Sequence, residues 1–215
     1  MHVKPGKLII INGGSSVGKS SLIQAFQNLA YQQNEDYWCF GTDSILFMRP
    51  SDIKSPIMEK PSRGDPNYYS VEWQQQGGEP YPILHLGKKA LDWHKARYEA
   101  IPIYLNMGYN IIADEVLWTK SILKYILDNS IGYDAYMIKA VANLTQTALR
   151  AQQRADRPIN LHLSSAEYAH RDVLYDAEID LTTITPEQGA KVLMQILQDI
   201  PQPQAIIQMR KNNVP

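Results

Sequence analysis

The chain has a single cysteine, Cys39, in 215 residues. No intrachain disulfide can form, and the composition fits a reducing compartment. Cys39 lies in the apolar run Tyr37-Trp38-Cys39-Phe40 and reads as buried strand filler rather than a reactive thiol. Long apolar runs are also lacking, since no stretch approaches the ~20 residues that a membrane span requires. The apolar run nearest the N-terminus, Leu8–Ile11, is only four residues long and leads into a glycine-rich loop, so no signal-peptide layout is expected. Neither sign of charge dominates: 21 Lys and Arg face 22 Asp and Glu, a net charge of −1. Such a balance exerts no general pull on nucleic acid or an anionic membrane. There is no basic aromatic platform for single-stranded nucleic acid. An Asn-Lys-x-Asp guanine-reading motif and internal repeats are absent too. With 44% hydrophobic and 20% charged residues, the chain reads as one globular, cytoplasmic-type domain, without membrane or nucleic-acid partners.

What is present is concentrated in Lys7–Ser21, KLIIINGGSSVGKSS. Leu8-Ile9-Ile10-Ile11 reads as a buried strand. It runs into Gly13-Gly14-Ser15-Ser16-Val17-Gly18-Lys19-Ser20, which fits the phosphate-loop pattern G-x-x-x-x-G-K-[ST]. After Ser20 the apolar positions Leu22, Ala25, Phe26 and Leu29 recur at the spacing of one helix face. A phosphate loop needs this strand–loop–helix context, because its N–H groups and the helix N-terminus must converge on one anion. Gly13 and Gly18 allow a backbone that side chains would block. Gly13 through Ser21 are the expected nucleotide-binding run, with Lys19 reaching the β/γ-phosphates of ATP and the Ser20 hydroxyl on Mg²⁺. The bland alternative is a glycine-rich turn before an ordinary helix, and the flanks on both sides argue against it.

Strands are expected near 8–12, 37–41, 109–114, 136–142 and 178–182, alternating with helices. That alternation predicts a five-stranded parallel sheet with helices on both faces; with the phosphate loop at its start, the expected fold resembles the α/β P-loop NTPases of the nucleotide or shikimate kinase kind. The whole chain, 1–215, is expected to form one domain. Residues 50–87 interrupt it with six prolines, Gly77-Gly78 and the aromatics Tyr68, Tyr69, Trp73 and Tyr81. They read as an irregular insertion on the substrate side, with a hairpin through Tyr68–Trp73 and Pro80–Leu86. A helix follows from about Lys88, its apolar side carrying Leu91, His94, Tyr98 and Ile101, and Pro102 should kink or end it. Another helix spans about Lys120–Asn129. Asn143 should N-cap a long helix to about Arg157. Ser164-Ser165-Ala166-Glu167 has the form of a capping box opening a short helix through His170. Thr185-Pro186-Glu187-Gln188 opens the last helix, with Val192, Leu193, Ile196 and Ile200 toward the core. The tail at 201–215 is polar and should be poorly ordered.

Phosphoryl transfer is mostly positioning and charge neutralisation, so a cradle, a metal, a base and cations are required. Asp114 ends an apolar strand, where a carboxylate can hold Mg²⁺ together with Ser20; the competing readings are a cap on the next turn, or Glu115 as the ligand. Asp43 ends the second strand and could take a proton from an attacking hydroxyl, or simply N-cap the Ser44–Met48 stretch; both can hold at once. Arg150, Arg154 and Arg157 fall on one helix face. They form either a solvated surface or a lid that brings cations onto the transferring group, with Arg150 on the nucleotide side. Lys95, Arg97, Lys120 and Lys124 have no such company and read as surface.

Together these segments resemble the chloramphenicol 3-O-phosphotransferase family of P-loop kinases. The pieces are Ile11–Ser20, Phe40-Gly41-Thr42-Asp43-Ser44, Ile111–Val116, Arg150 to Arg157, His170, and Tyr175–Asp180 with Thr182-Thr183. The resemblance implies ATP-dependent phosphorylation of a hydroxyl on a small molecule, a chloramphenicol-like antibiotic or related metabolite. Asp43 would be the general base, with Lys19, Arg154 and Arg157 stabilising the phosphoryl group. Two departures stand out. Arg154-Ala155-Asp156-Arg157 replaces Arg-Gly-Asp-Arg, and the segment between Asp43 and Asp114 is long and rich in Tyr, Trp and Gln. Two other readings stay open: a zeta-toxin-like kinase acting on a nucleotide sugar, and a non-catalytic nucleotide-binding switch. Tyr and Trp outside the regular elements leave room for a homodimer.

Overall fold

The structure is a computed structural model that describes residues 3–42, 67–75, 80–153 and 160–212. Five parallel strands form the main sheet: β1 (Leu8–Asn12), β2 (Tyr37–Cys39), β5 (Asn110–Glu115), β6 (Ala135–Val141) and β7 (Ala177–Asp180), in the order β2-β5-β1-β6-β7. The expected strands are all present, each within about two residues of the predicted bounds. β1 is central and fully buried. Its side chains alternate between the sheet faces: Leu8 and Ile10 enter one core, Ile9 and Ile11 the other. Its continuous apolar run follows from being covered on both sides.

Helix α1 (Lys19–Tyr31) and α6 (Pro186–Asp199) cover the face built on Ile9, Ile11, Tyr136 and Ile138. On the opposite face lie α2 (Lys88–Asn106), α3 (Lys120–Asn129) and α7 (Ala205–Lys211). Helices α4 (Leu144–Gln152) and α5 (Leu161–Tyr168) follow β6. The expected hairpin is β3 (Tyr69–Gln74) paired antiparallel with β4 (Tyr81–Leu86). It builds a small core of its own, with Tyr68, Tyr69, Leu84 and Ala90 buried and Trp93 and Trp118 against them.

Local signals held where no tertiary contact competed. The Thr185 side chain and Gln188 form a reciprocal capping box. Asn143 caps α4 by accepting from Gln146 N–H at 2.8 Å. Helix α2 ends in a Schellman pair on Gly108 (φ 90°): Gly108 N–H donates to Leu105 O and Tyr109 N–H to Tyr104 O.

Five expectations are corrected. Pro102 does not end α2, the second of the two outcomes expected of it: the helix runs on to Asn106, because Tyr98, Ile101 and Leu105 are fully buried against the sheet. Packing of that size outweighs the ~3 kcal/mol that an internal proline costs. Ser164 and Ser165 do not open a helix: α5 starts at Leu161 behind Asn160 (φ 63°), and both serines are buried within it. Cys39 is exposed, since β2 is the sheet edge and only Tyr37 of its residues is buried. In α6 the core face turns on Ala190, Leu193 and Leu197, leaving Val192 exposed. Finally, the tail holds α7. The Asp176 carboxylate accepts from Gln204 and Ala205 N–H through one oxygen and from Met137 N–H through the other, so it caps α7 and ties it to β6. Ile206 and Met209 then enter the core.

Met209→Ala should therefore destabilise the protein by about 2–4 kcal/mol, as a buried methionine truncation does. Urea unfolding measures this directly; a loss near zero would return the tail to the disordered state read from its composition.

Candidate active site

The site is assembled at the carboxyl ends of the central strands, where α/β sheets bind ligands. The parallel register sets Ile11 opposite Asp114 and Asn12 opposite Glu115. From Asn12 the chain turns through Gly13–Gly18 into α1. Gly13 is required by proximity, since a Cβ there would lie 2.3 Å from the Ala140 carbonyl oxygen of β6. Gly18 is required by its φ of 110°. Ser16 also takes a left-handed conformation (φ 63°). Ser15 N–H donates to the buried Ser165 Oγ of α5 at 2.7 Å, so α5 braces the loop from behind. Ser20 and Ser21, in the first turn of α1, are exposed.

Lys19 is 7% exposed, and its Nζ donates to Gly13 O at 2.9 Å and Gly14 O at 3.0 Å. The same Nζ stands 3.6 Å from Asp114 Oδ1, while Ser20 Oγ donates to Asp114 Oδ2 at 2.8 Å. The loop's lysine and hydroxyl thus converge on one carboxylate, although nearly a hundred residues separate them from it. A hydroxyl beside a carboxylate is a hard-oxygen donor pair of the kind that holds Mg²⁺. Glu115, the competing carboxylate, is fully buried and engaged with Arg97 and Tyr98, so Asp114 is the one presented to the loop.

Arg150 is fastened to the backbone, donating to Val17 O at 2.6 Å and Leu181 O at 2.7 Å. Its guanidinium lies against the loop at Gly18. Asp43, Arg154 and Arg157 lie outside the described residues, as does the whole of the segment 50–66.

Two arrangements were not read from the sequence, although Asn12, His170 and Tyr175 of the second stand in the segments that carry the resemblance. Arg97, read there as surface, is 5% exposed and ion-paired with Glu115. A signal was available, because position 97 shares the helix face of His94 and Ile101. The second group surrounds Asn12. Its Nδ2 donates to Ala169 O and to Tyr175 OH, both at 2.6 Å, and its Oδ1 accepts from Leu117 N–H at 3.1 Å. Tyr175 OH in turn lies 2.7 Å from His170 Nδ1. The same hydroxyl lies 3.5 Å from Ala169 O, so it joins Asn12, His170 and Ala169. Burial first, then the Lys139 charge, pulls the His170 pKa down to about 4. This knits the start of the loop to the segment before β7.

A parallel sheet in this order, with a glycine-rich anion cradle leaving its central strand, defines a P-loop protein of the kinase fold. The model of the chloramphenicol phosphotransferase-like proteins matches residues 6–198, and the chain belongs to that family. Two Mycobacterium tuberculosis proteins, from strains CDC 1551 and H37Rv, are provisionally named O-phosphotransferases. Each is 35% identical to this chain, covering 96% of it and 88% of the relative. Among solved structures, the M. tuberculosis APS kinase in complex with AMPPNP and APS superposes with a TM-score of 0.56 at 10% identity, over 90% of this chain and 98% of that one. A sugar kinase from Janibacter sp. HTCC2649 gives 0.58 at 15% (92% and 97%), and a gluconokinase from Sinorhizobium meliloti 0.52 at 16% (91% and 97%). At such identities the likeness is one of fold. No helix among the described residues is long and apolar enough to cross a membrane.

The site also predicts a pH dependence. His94 is 4% exposed, and burial, then the Arg97 charge, pulls its pKa from 6.5 down to about 3. The folded protein keeps this ring neutral while the unfolded chain protonates it. Its contribution is therefore complete above pH 6.5 and is lost as pH falls toward 3. His170 adds in the same sense toward pH 4. His94→Gln should flatten the acid limb of stability by up to about 1.4 kcal/mol per pH unit, one proton's worth. Urea midpoints at pH 7 and pH 5 measure it; parallel slopes for variant and parent would exclude His94 as the source.

Proposed function

We propose that this protein is an ATP-dependent O-phosphotransferase that moves the γ-phosphoryl group of ATP to a hydroxyl of a small molecule. The observation that carries the reading is the convergence of Lys19 Nζ and Ser20 Oγ on the two oxygens of Asp114, beneath a turn that only glycine allows at Gly13. Loop amides and Lys19 bind the β/γ-phosphates. Ser20 and Asp114 are the residues that would hold Mg²⁺, which supplies neutralisation of charge on the phosphate oxygens. Lys19 meets charge that builds on the phosphoryl oxygens during transfer.

Asp43 serves as the general base in this reading. It accepts the proton of the acceptor hydroxyl as that oxygen bonds to the γ-phosphorus, and the bond to the β–γ bridging oxygen breaks to release ADP. Thr42, its neighbour in sequence, is 3.4 Å from Asp114 O, which supports a base on the acceptor side of the cradle. Arg154 and Arg157 complete the charge stabilisation from the segment beyond α4, and Arg150 supports the nucleotide side through the loop carbonyl it holds. The hairpin β3–β4 and its aromatic core form one wall for the acceptor, in the class of chloramphenicol-like antibiotics and related metabolites. The protein acts in the cytoplasm.

Asp43→Asn should lower phosphoryl transfer by about 10²–10⁴-fold, the range for a lost general base, while leaving ATP affinity within about twofold. Coupled ADP release and fluorescent ATP-analogue titration measure the two; full activity, or equal loss of both, would count against Asp43. Lys19→Ala should reduce transfer by roughly 10²-fold or more, as removal of an oxyanion-stabilising group does. Profiling ADP release over antibiotics, sugars and nucleotide sugars identifies the acceptor. A response confined to nucleotide sugars would favour the zeta-toxin-like alternative, and ATP binding with no transfer to any acceptor would favour a switch.

A further inference from the structure

Arg97 is the most deeply buried cation of the described residues outside the phosphate loop, and neither the loop nor the Asp114 pair uses it. Its Nη1 donates to Phe40 O at 3.2 Å and to Thr42 Oγ1 at 3.1 Å, both just beyond β2. Its Nη2 is ion-paired with Glu115 at the end of β5, and lies 3.5 Å from His94 Nδ1. Glu115 also accepts from Tyr98 OH at 2.6 Å, and Thr42 Oγ1 is 3.4 Å from its other oxygen. One guanidinium thus spans the carboxyl ends of two adjacent strands. β2 is only three residues long and forms the sheet edge, so its ladder alone holds this end weakly.

Stability does not account for the pair. Replacing a buried ion pair by apolar residues of like volume is often neutral or stabilising. Arg97 Nε, moreover, is buried with no hydrogen-bond partner, a cost that the pair carries. What the pair supplies is geometry: a rigid planar fork with two donors on the β2 end and one on the β5 carboxylate. We propose that Arg97, oriented by Glu115, is a positioning residue that sets the Phe40–Thr42 strand end, and with it the acceptor side of the site, against Asp114. This rests on the phosphotransferase reading, in which chemistry occurs between those two strand ends.

Hydrogen–deuterium exchange of the full chain, the first of two readouts, requires neither turnover nor Asp43, so its outcome is separable from failure of the base assignment. Two variants are used: Arg97→Lys, which keeps the charge but not the fork, and Arg97→Met with Glu115→Gln, which leaves no lone buried charge. The Phe40 amide, bonded to Ile112 O at 2.8 Å in the parent, and those through Thr42 should exchange roughly tenfold faster or more in both variants, with β1 and β6 amides unchanged. Affinity for mant-ATP should stay within about twofold, while the kcat of MgATP turnover with water as acceptor falls about tenfold with KM unmoved. Unchanged exchange at Phe40–Thr42, faster exchange across the whole sheet, an unchanged kcat in Arg97→Lys, or failure of both variants to fold would each overturn the proposal.

Discussion

The pairing of β1 with β5 in parallel register is the constraint on which the rest of the site depends. Two segments about a hundred residues apart must align so that Ile11 faces Asp114 and Asn12 faces Glu115. A slip of one residue would turn every side chain of the strand to the opposite face. Asp114 would then leave Lys19 and Ser20, and Glu115 would leave Arg97. The register is specified by burial on both faces, because Ile9 and Ile11 fill one core while Leu8 and Ile10 fill the other. Hydrophobic packing therefore sets the positions of the charged groups at the strand ends.

Directly above that packing lies a layer of buried polar groups: Asn12, Glu115, Arg97, His94 and Ser165. Groups of this kind are costly unless paired, and here Asn12, Glu115, Arg97 and Ser165 bridge elements, while His94 meets Arg97 within α2. Asn12 joins the starts of the loop, the turn after β5 and the segment before β7. Ser165 braces the loop from α5. Asp176 ties the last helix to β6. The loop is thus held from several sides, which limits the reorganisation required when charge arrives.

Where local signals and packing disagreed, packing decided. A proline did not end α2, because Tyr98, Ile101 and Leu105 lie on its buried face beyond any local preference. The serines at 164 and 165 resembled a cap in sequence but face the interior, one of them holding Ser15. The tail from Pro201 contains few apolar residues, yet Ile206 and Met209 suffice once Asp176 caps the helix that carries them. Arg97 read as surface because a lone arginine in a helix has that character until its partner is known.

By itself the sequence determined the strand–loop–helix at Leu8–Tyr31, the alternation that makes a parallel sheet, the hairpin at 69–86 and the capped helices at 143 and 185. Each is encoded within a short window: by apolar periodicity, by glycine where side chains cannot fit, or by a side chain reaching backbone three residues on. Tertiary structure alone decided which carboxylate meets the loop, that Glu115 instead takes Arg97, and that the edge position of β2 exposes Cys39. Those outcomes depend on contacts between residues tens to a hundred or more positions apart. No local pattern contains them, because they arise only when the strands have aligned and water has been excluded from between them.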